Sequence, residues 1–303
     1  MNLGDLAPQD LTRRLRGPGV MLRTGPFVSR IWTDMPIMER GLSLLYADYP
    51  VEDDRGFADF HVSVMRPRSL RRWFQPQAQL LYDHQALFEP LPLDQALPMF
   101  EWGMNWAVGT MANQFLILHA ATLERNGRVV IMPAPPGSGK STLCAGLACR
   151  GWRLMSDEMA LITLDDGLVV PLARPVSLKN KSIEVMTRFA PDAVFSEPAE
   201  ETHKGTVALM RAPRDSVARK RDPARPAWIV FPNYLPGAET SLAPRSKAAT
   251  FMEMGENAFN YSVHGRRGFD VLAGILDSCA CYDFRYSDLD HAVQVFSSLA
   301  SEA

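Results

Sequence analysis

The sequence has no long hydrophobic run, little cysteine and almost no excess of either charge. Nowhere do apolar residues continue for the roughly 18 positions of a membrane-spanning helix. The opening "MNLGDLAPQDLTRRLRGPGV" also lacks the unbroken apolar core of a secretion signal. The expectation is a cytoplasmic protein with no membrane span. A formal charge of −2 argues against a chain built to coat nucleic acid or anionic lipid, since both favour a basic excess. The four cysteines are Cys144, Cys149, Cys279 and Cys281. Cys279-Ala-Cys281 lacks the two-residue spacer of redox and zinc motifs, and no histidine-rich cluster lies nearby. Buried reduced thiols are expected.

What is present suits an ordinary globular protein: 47% hydrophobic and 22% charged residues over 303 positions, enough for a sizeable core and for two unequal domains. Residues 1–90 read as a smaller α+β accessory domain, with helical patterning in "MPIMERGLSLLYAD" (35–48) and half-buried strand alternation in "FADFHVSVM" (57–65). The aromatic stretch 71–92 has prolines that limit its strands. Residues 91–303 read as the catalytic domain. They begin with a helix in 90–114, whose Leu93, Leu97, Phe100, Met104 and Val108 share an apolar side. Two apolar runs then meet at Asn126-Gly127, the signature of a tight hairpin. The turn-rich segment 190–226 carries Arg211, Arg214, Arg219, Lys220, Arg221 and Arg225. It is expected to be a solvated loop, or alternatively a mobile basic lid.

The chemistry lies in "APPGSGKST", residues 134–142. It fits the Walker A pattern except that Ala134 stands for the first glycine. In that pattern successive backbone N–H groups and a helix N-terminus face phosphate oxygens, while a lysine (Lys140) reaches the β- and γ-phosphates and a hydroxyl (Ser141) ligates Mg²⁺. An apolar strand before the loop and a helix after it supply the required context. "RLMSDE" then ends a short strand in Asp157-Glu158, only 17 positions after Lys140. At that place Asp157 can take a proton from an acceptor hydroxyl during phosphoryl transfer, and Glu158 can assist Ser141 with Mg²⁺. His119 lies on the preceding strand, "LILHAAT". Its residue type and place allow either a core or an active-site role.

The segment "LHAATLERNGRVVIMPAPPGSGKSTLCAGLACRGWRLMSDEMALI" resembles the catalytic segment of the HPr serine kinase/phosphorylase family, related in fold to phosphoenolpyruvate carboxykinase. With "FEWGMNWAV" and "RPVSLKN" the chain is most similar to the HPr-kinase-related kinase A branch. The specific motifs cover about residues 115–182. The resemblance implies an α/β, mixed-sheet P-loop kinase core with ATP and Mg²⁺ as cofactors. It assigns ATP binding to Pro136, Gly137, Ser138, Gly139, Lys140, Ser141 and Thr142, catalysis to Asp157, His119 and Lys140, and metal contacts to Ser141 and Glu158. It offers Arg174, Lys179, Lys204 and Arg245 as contacts to phosphate or acceptor. Glu158 stands where the bifunctional members have Asp, and the downstream segment associated with phosphorolysis is missing, so the kinase direction is favoured. The branch implies a PqqD-like peptide-binding partner and a homo-oligomer. The expected reaction is transfer of the γ-phosphate to a hydroxyl, a serine of a protein or peptide. The alternatives are a small-molecule kinase and an ATP-dependent binding or assembly module.

Overall fold

Asn126 (φ 54°) and Gly127 (φ 79°) both lie in the left-handed region, the backbone that a two-residue turn needs to match the twist of its strands. They join Phe115–Arg125 to Arg128–Pro133 as an antiparallel pair, in register from Arg125↔Arg128 to Ala120↔Pro133. This hairpin is the centre of an eight-stranded mixed sheet in the computed structural model, which describes residues 1–67, 74 and 76–301. Arg225–Tyr234 runs parallel to Arg128–Pro133, and Ala280–Tyr286 runs parallel to Arg225–Tyr234. The carboxyl ends of three parallel strands therefore gather at one edge. On the other side, Met159–Thr163 and Arg153–Ser156 pair antiparallel with the His119 strand.

Alternation along the central strands sorts their side chains to two faces. Ile117, Ala121, Leu123, Val130 and Met132 share a core with Leu143, Leu147, Ala292 and Phe296 of the helices Lys140–Ala148 and Leu289–Ser301. Leu116, Leu118, Val129 and Ile131 face the opposite way, against Met254, Leu272, Ile275 and Leu276. Both faces are thus covered by helices, as an α/β fold with a buried sheet requires.

The N-terminal residues form a six-stranded sheet of their own, flanked by Pro8–Arg16 and Pro36–Leu45. The second of these occupies most of the 35–48 stretch, and Phe60–Met65 is the strand expected within 57–65. Residues 71–73 and 75 of the aromatic stretch lie outside the described residues. The helix Ala96–Met111 packs against this sheet. A β-carbon on Gly41 would sit 2.8 Å from Leu97, so the glycine allows Pro36–Leu45 to approach that helix closely. One hydrophobic core runs without a break from Leu3 through Phe100 to Phe296.

The segment 190–226 divides: its first half is ordered as strands rather than loop, whereas the basic run 211–225 is mostly turn and short helix with Arg214, Arg221 and Arg225 exposed to solvent. Ala199–Thr202 and Gly205–Met210 pair with each other and with Val176–Lys179 as a three-stranded sheet, and Arg214–Ala218 is a short helix. Two of its arginines are held by carboxylates far away in sequence, Arg211 by Asp48 at 2.5 Å and Arg219 by Glu124 at 3.1 Å. Arg225 opens a core strand. Among the described residues no helix is long and apolar enough to cross a membrane.

Candidate functional site

The loop 134–140 leaves the carboxyl end of Arg128–Pro133 and feeds the helix Lys140–Ala148. Gly137 (φ 87°) and Gly139 (φ 84°) adopt left-handed backbone, which a β-carbon would strain. Around Gly137 there is open space. At Gly139 an added β-carbon would lie 2.7 Å from the Tyr234 Cβ. The loop is braced from behind: the Tyr286 hydroxyl donates to the Gly139 carbonyl and the Tyr234 N–H to the Ser138 carbonyl, both at 2.9 Å. Pro136 and Gly137 form the exposed rim, whereas Ser141 and Thr142 are half-buried on the first helical turn. Two buried polar atoms here, Ser138 Oγ and Lys140 Nζ, have no hydrogen-bond partner. Orphaned donors in a turn at a helix N-terminus fit a phosphate group.

Asp157 and Glu158 follow Arg153–Ser156 and meet the loop from the side. Asp157 is buried. Its Oδ2 accepts from the Ser177 N–H at 3.2 Å, and its Oδ1 has no partner. Burial, then the charge of Glu158, raise its carboxyl to about 6, against the pull of Lys140 and the Ser141 hydroxyl. Burial lowers the Lys140 ammonium, offset in part by Asp157 and Glu158. Among the described residues no group of three or more His, Cys, Asp or Glu could hold a metal ion. The Ser141 hydroxyl lies against Asp157 and one Glu158 oxygen accepts from Asn105; hydroxyl and carboxylate oxygens are the ligand types Mg²⁺ takes when substrate phosphates and water supply the rest.

A chain of polar contacts that composition and motifs do not reveal ends on Glu158. The Tyr46 hydroxyl donates to Glu101, whose other oxygen pairs with Arg174 at 3.3 Å. Arg174 also donates to the Asn105 carbonyl oxygen, and the Asn105 amide donates to Glu158. Tyr46, Glu101 and Arg174 are buried. Arg174, expected to contact phosphate, is thus committed to Glu101 and Asn105, with only its Nε free of a partner. The one signal for Glu101 is a carboxylate set on the apolar side of a helix, four residues before Asn105.

His119 lies on the same face as Ile117 and Ala121 and is half-buried opposite Met159. Burial, then Lys140, push its imidazole down to about 4, so it is neutral at pH 7. Its ring stands 5.9 Å from that of Phe259. His119 and Glu158 border a cavity of about 620 Å³, together with Trp102, Trp106 and Lys204. The Lys204 ammonium lies 5.4 Å from the Trp102 ring. Lys179 ends its strand near Asp157 and His119, lowering both by its charge. Arg245 is engaged elsewhere: it is paired with Glu253 and with Asp283 at 2.5 Å, and lies over Phe231. All four cysteines are free.

Against known proteins, the family described as SynChlorMet cassette protein ScmC matches residues 97–169. That span takes in the helix bearing Glu101 and Asn105, the His119 strand, the loop and the acidic pair. No curated protein matches the chain.

Proposed function

We propose that this protein is an ATP-dependent kinase of the HPr serine kinase/phosphorylase type, transferring the γ-phosphate to a serine hydroxyl of a protein or peptide. The observation that carries the reading is Asp157, a buried carboxyl with one unpartnered oxygen, set beside Lys140 at the mouth of a glycine loop. A group titrating near 6 is suited to proton transfer near neutral pH. In the step, the acceptor oxygen bonds to the γ-phosphorus as the bond to the β–γ bridging oxygen breaks. ADP leaves and Asp157 Oδ1 takes the hydroxyl proton. Lys140 binds the β- and γ-phosphates. Mg²⁺ held by Ser141 and Glu158 would neutralise developing charge on the phosphates. Neutral His119 can accept or donate one hydrogen bond beside the acceptor without adding charge.

Labelled γ-phosphate from ATP, offered with serine-bearing proteins and peptides, tests this. Asp157→Asn is expected to slow transfer by about 10²- to 10⁴-fold while ATP still binds; undiminished transfer would remove Asp157 as the base. The cavity of about 620 Å³ is also within the size range of small-molecule sites. It favours a second reading, a small-molecule kinase, in which label would appear on a metabolite and on no polypeptide.

A further inference from the structure

The cavity beside His119 and Glu158 combines aromatic walls with a polar lining of which only part is engaged within the protein. Both ends of the Asn105 amide are used, by Glu158 and by Arg174. The Thr110 hydroxyl donates to the Trp106 carbonyl at 2.7 Å. What faces the void is largely aromatic: Phe88, Trp102, Trp106 and Phe259. Two of these walls are braced by neighbouring rings, Trp106 by Tyr82 at 5.4 Å and Trp102 by His203 at 4.5 Å between centroids. Phe259 is 50% exposed. Beside these rings the lining carries the polar side chains of Glu89, His119, Glu158, His203 and Lys204. Glu89, Glu158 and Lys204 set charges of both signs in the lining, which can pair with the N–H and C=O groups of a peptide backbone.

We propose that this cavity seats a bulky aromatic or branched aliphatic side chain of the acceptor peptide, one or two residues from the hydroxyl that is phosphorylated. Successive Cα atoms stand about 3.8 Å apart, so a hydroxyl at Asp157 brings its neighbours past Glu158 and His119 to the aromatic walls. The inference rests on the kinase reading and adds the selectivity of its acceptor.

Gly109 lies in the cavity lining, on Ala96–Met111. A β-carbon there would meet only the flexible Met159 Cε at 3.3 Å and the Phe259 ring at 3.7 Å. Gly109→Leu therefore fills the void without touching the loop. The probes are two sets of fluorescent synthetic peptides with one serine, flanked by Phe, Trp or Leu in one set and by Gly or Asp in the other. Binding is read by anisotropy with a non-hydrolysable ATP analogue present. Transfer is read with γ-labelled ATP.

The apolar-flanked set should bind at least about 10-fold tighter, as burial of one large side chain implies. Gly109→Leu should erase that preference while the ATP analogue still binds. Phe259→Ala, at a half-exposed position, should weaken it and serves if Gly109→Leu does not fold. Equal binding of the two sets, or a preference that survives both substitutions, overturns the proposal. A free aromatic alcohol that takes label when no peptide binds overturns the peptide occupant. Label transferred equally to both sets sinks the cavity assignment alone. A preference erased by Gly109→Leu without any transfer by the unaltered protein sinks the kinase reading alone.

Discussion

Burial and the charge of Glu158 raise the Asp157 carboxyl from 3.8 to about 6, so between those values the folded chain holds a proton that the unfolded chain has released. Stability therefore falls as pH rises through that window, by on the order of 3 kcal/mol for a shift of this size. Asp157→Asn should accordingly stabilise the nucleotide-free protein near neutral pH by about 1–3 kcal/mol. His119 works in the opposite sense. With its pKa lowered from 6.5 to about 4, its contribution is lost as pH falls through that range. In Asp157→Asn the opposing contribution is removed and the acid-side loss should steepen relative to the unaltered protein, and denaturant melts across the range measure both effects. A less stable variant would contradict a net cost of burying this carboxylate. Asp157 and Lys140 are legible from sequence because a loop and a strand end fix them within a short stretch of chain. Tyr46, Glu101 and Asn105 are not, because their roles arise from partners 53 to 73 residues away and no local spacing encodes them.

Among the elements, the glycine loop separates two costs that its motif merges. Gly137 and Gly139 share left-handed backbone, but only Gly139 is pressed against Tyr234 and Tyr286. Gly137→Ala should fold at a cost of about 1 kcal/mol and weaken ATP binding. Gly139→Ala should lose clearly more stability as well as binding. Thermal melts and nucleotide titration of the pair distinguish them, and equal stability of the two would contradict the bracing. The hairpin at Asn126-Gly127 and the apolar strands were readable because turn chemistry and alternation are local signals. The sheet of Val176–Lys179, Ala199–Thr202 and Gly205–Met210 was not. Its short strands are separated by proline- and charge-rich chain, and its turn depends on Asn180, whose side chain bonds Thr206 and Lys204 across 24 to 26 residues.

At the scale of the molecule, the N-terminal sheet and the loop-bearing sheet share one core and are sewn together by directed bonds. The Tyr49 hydroxyl donates to the Ala173 carbonyl at 3.0 Å, and Asp48 holds Arg211. The full chain should unfold in a single transition by both calorimetry and tryptophan fluorescence. A fragment of residues 91–303 should expose the apolar side of Ala96–Met111 and fail to unfold cooperatively. Two resolved transitions would show that the halves stand independently. The run of bonds from Tyr46 to Glu158 carries a consequence for any genetic screen that selects on turnover. Survivors should be depleted not only at the loop and the acidic pair but also at a tyrosine, a glutamate, an arginine and an asparagine that lie outside both. A map of tolerated substitutions would then outline a functional unit larger than the set of residues that ever meets a phosphate.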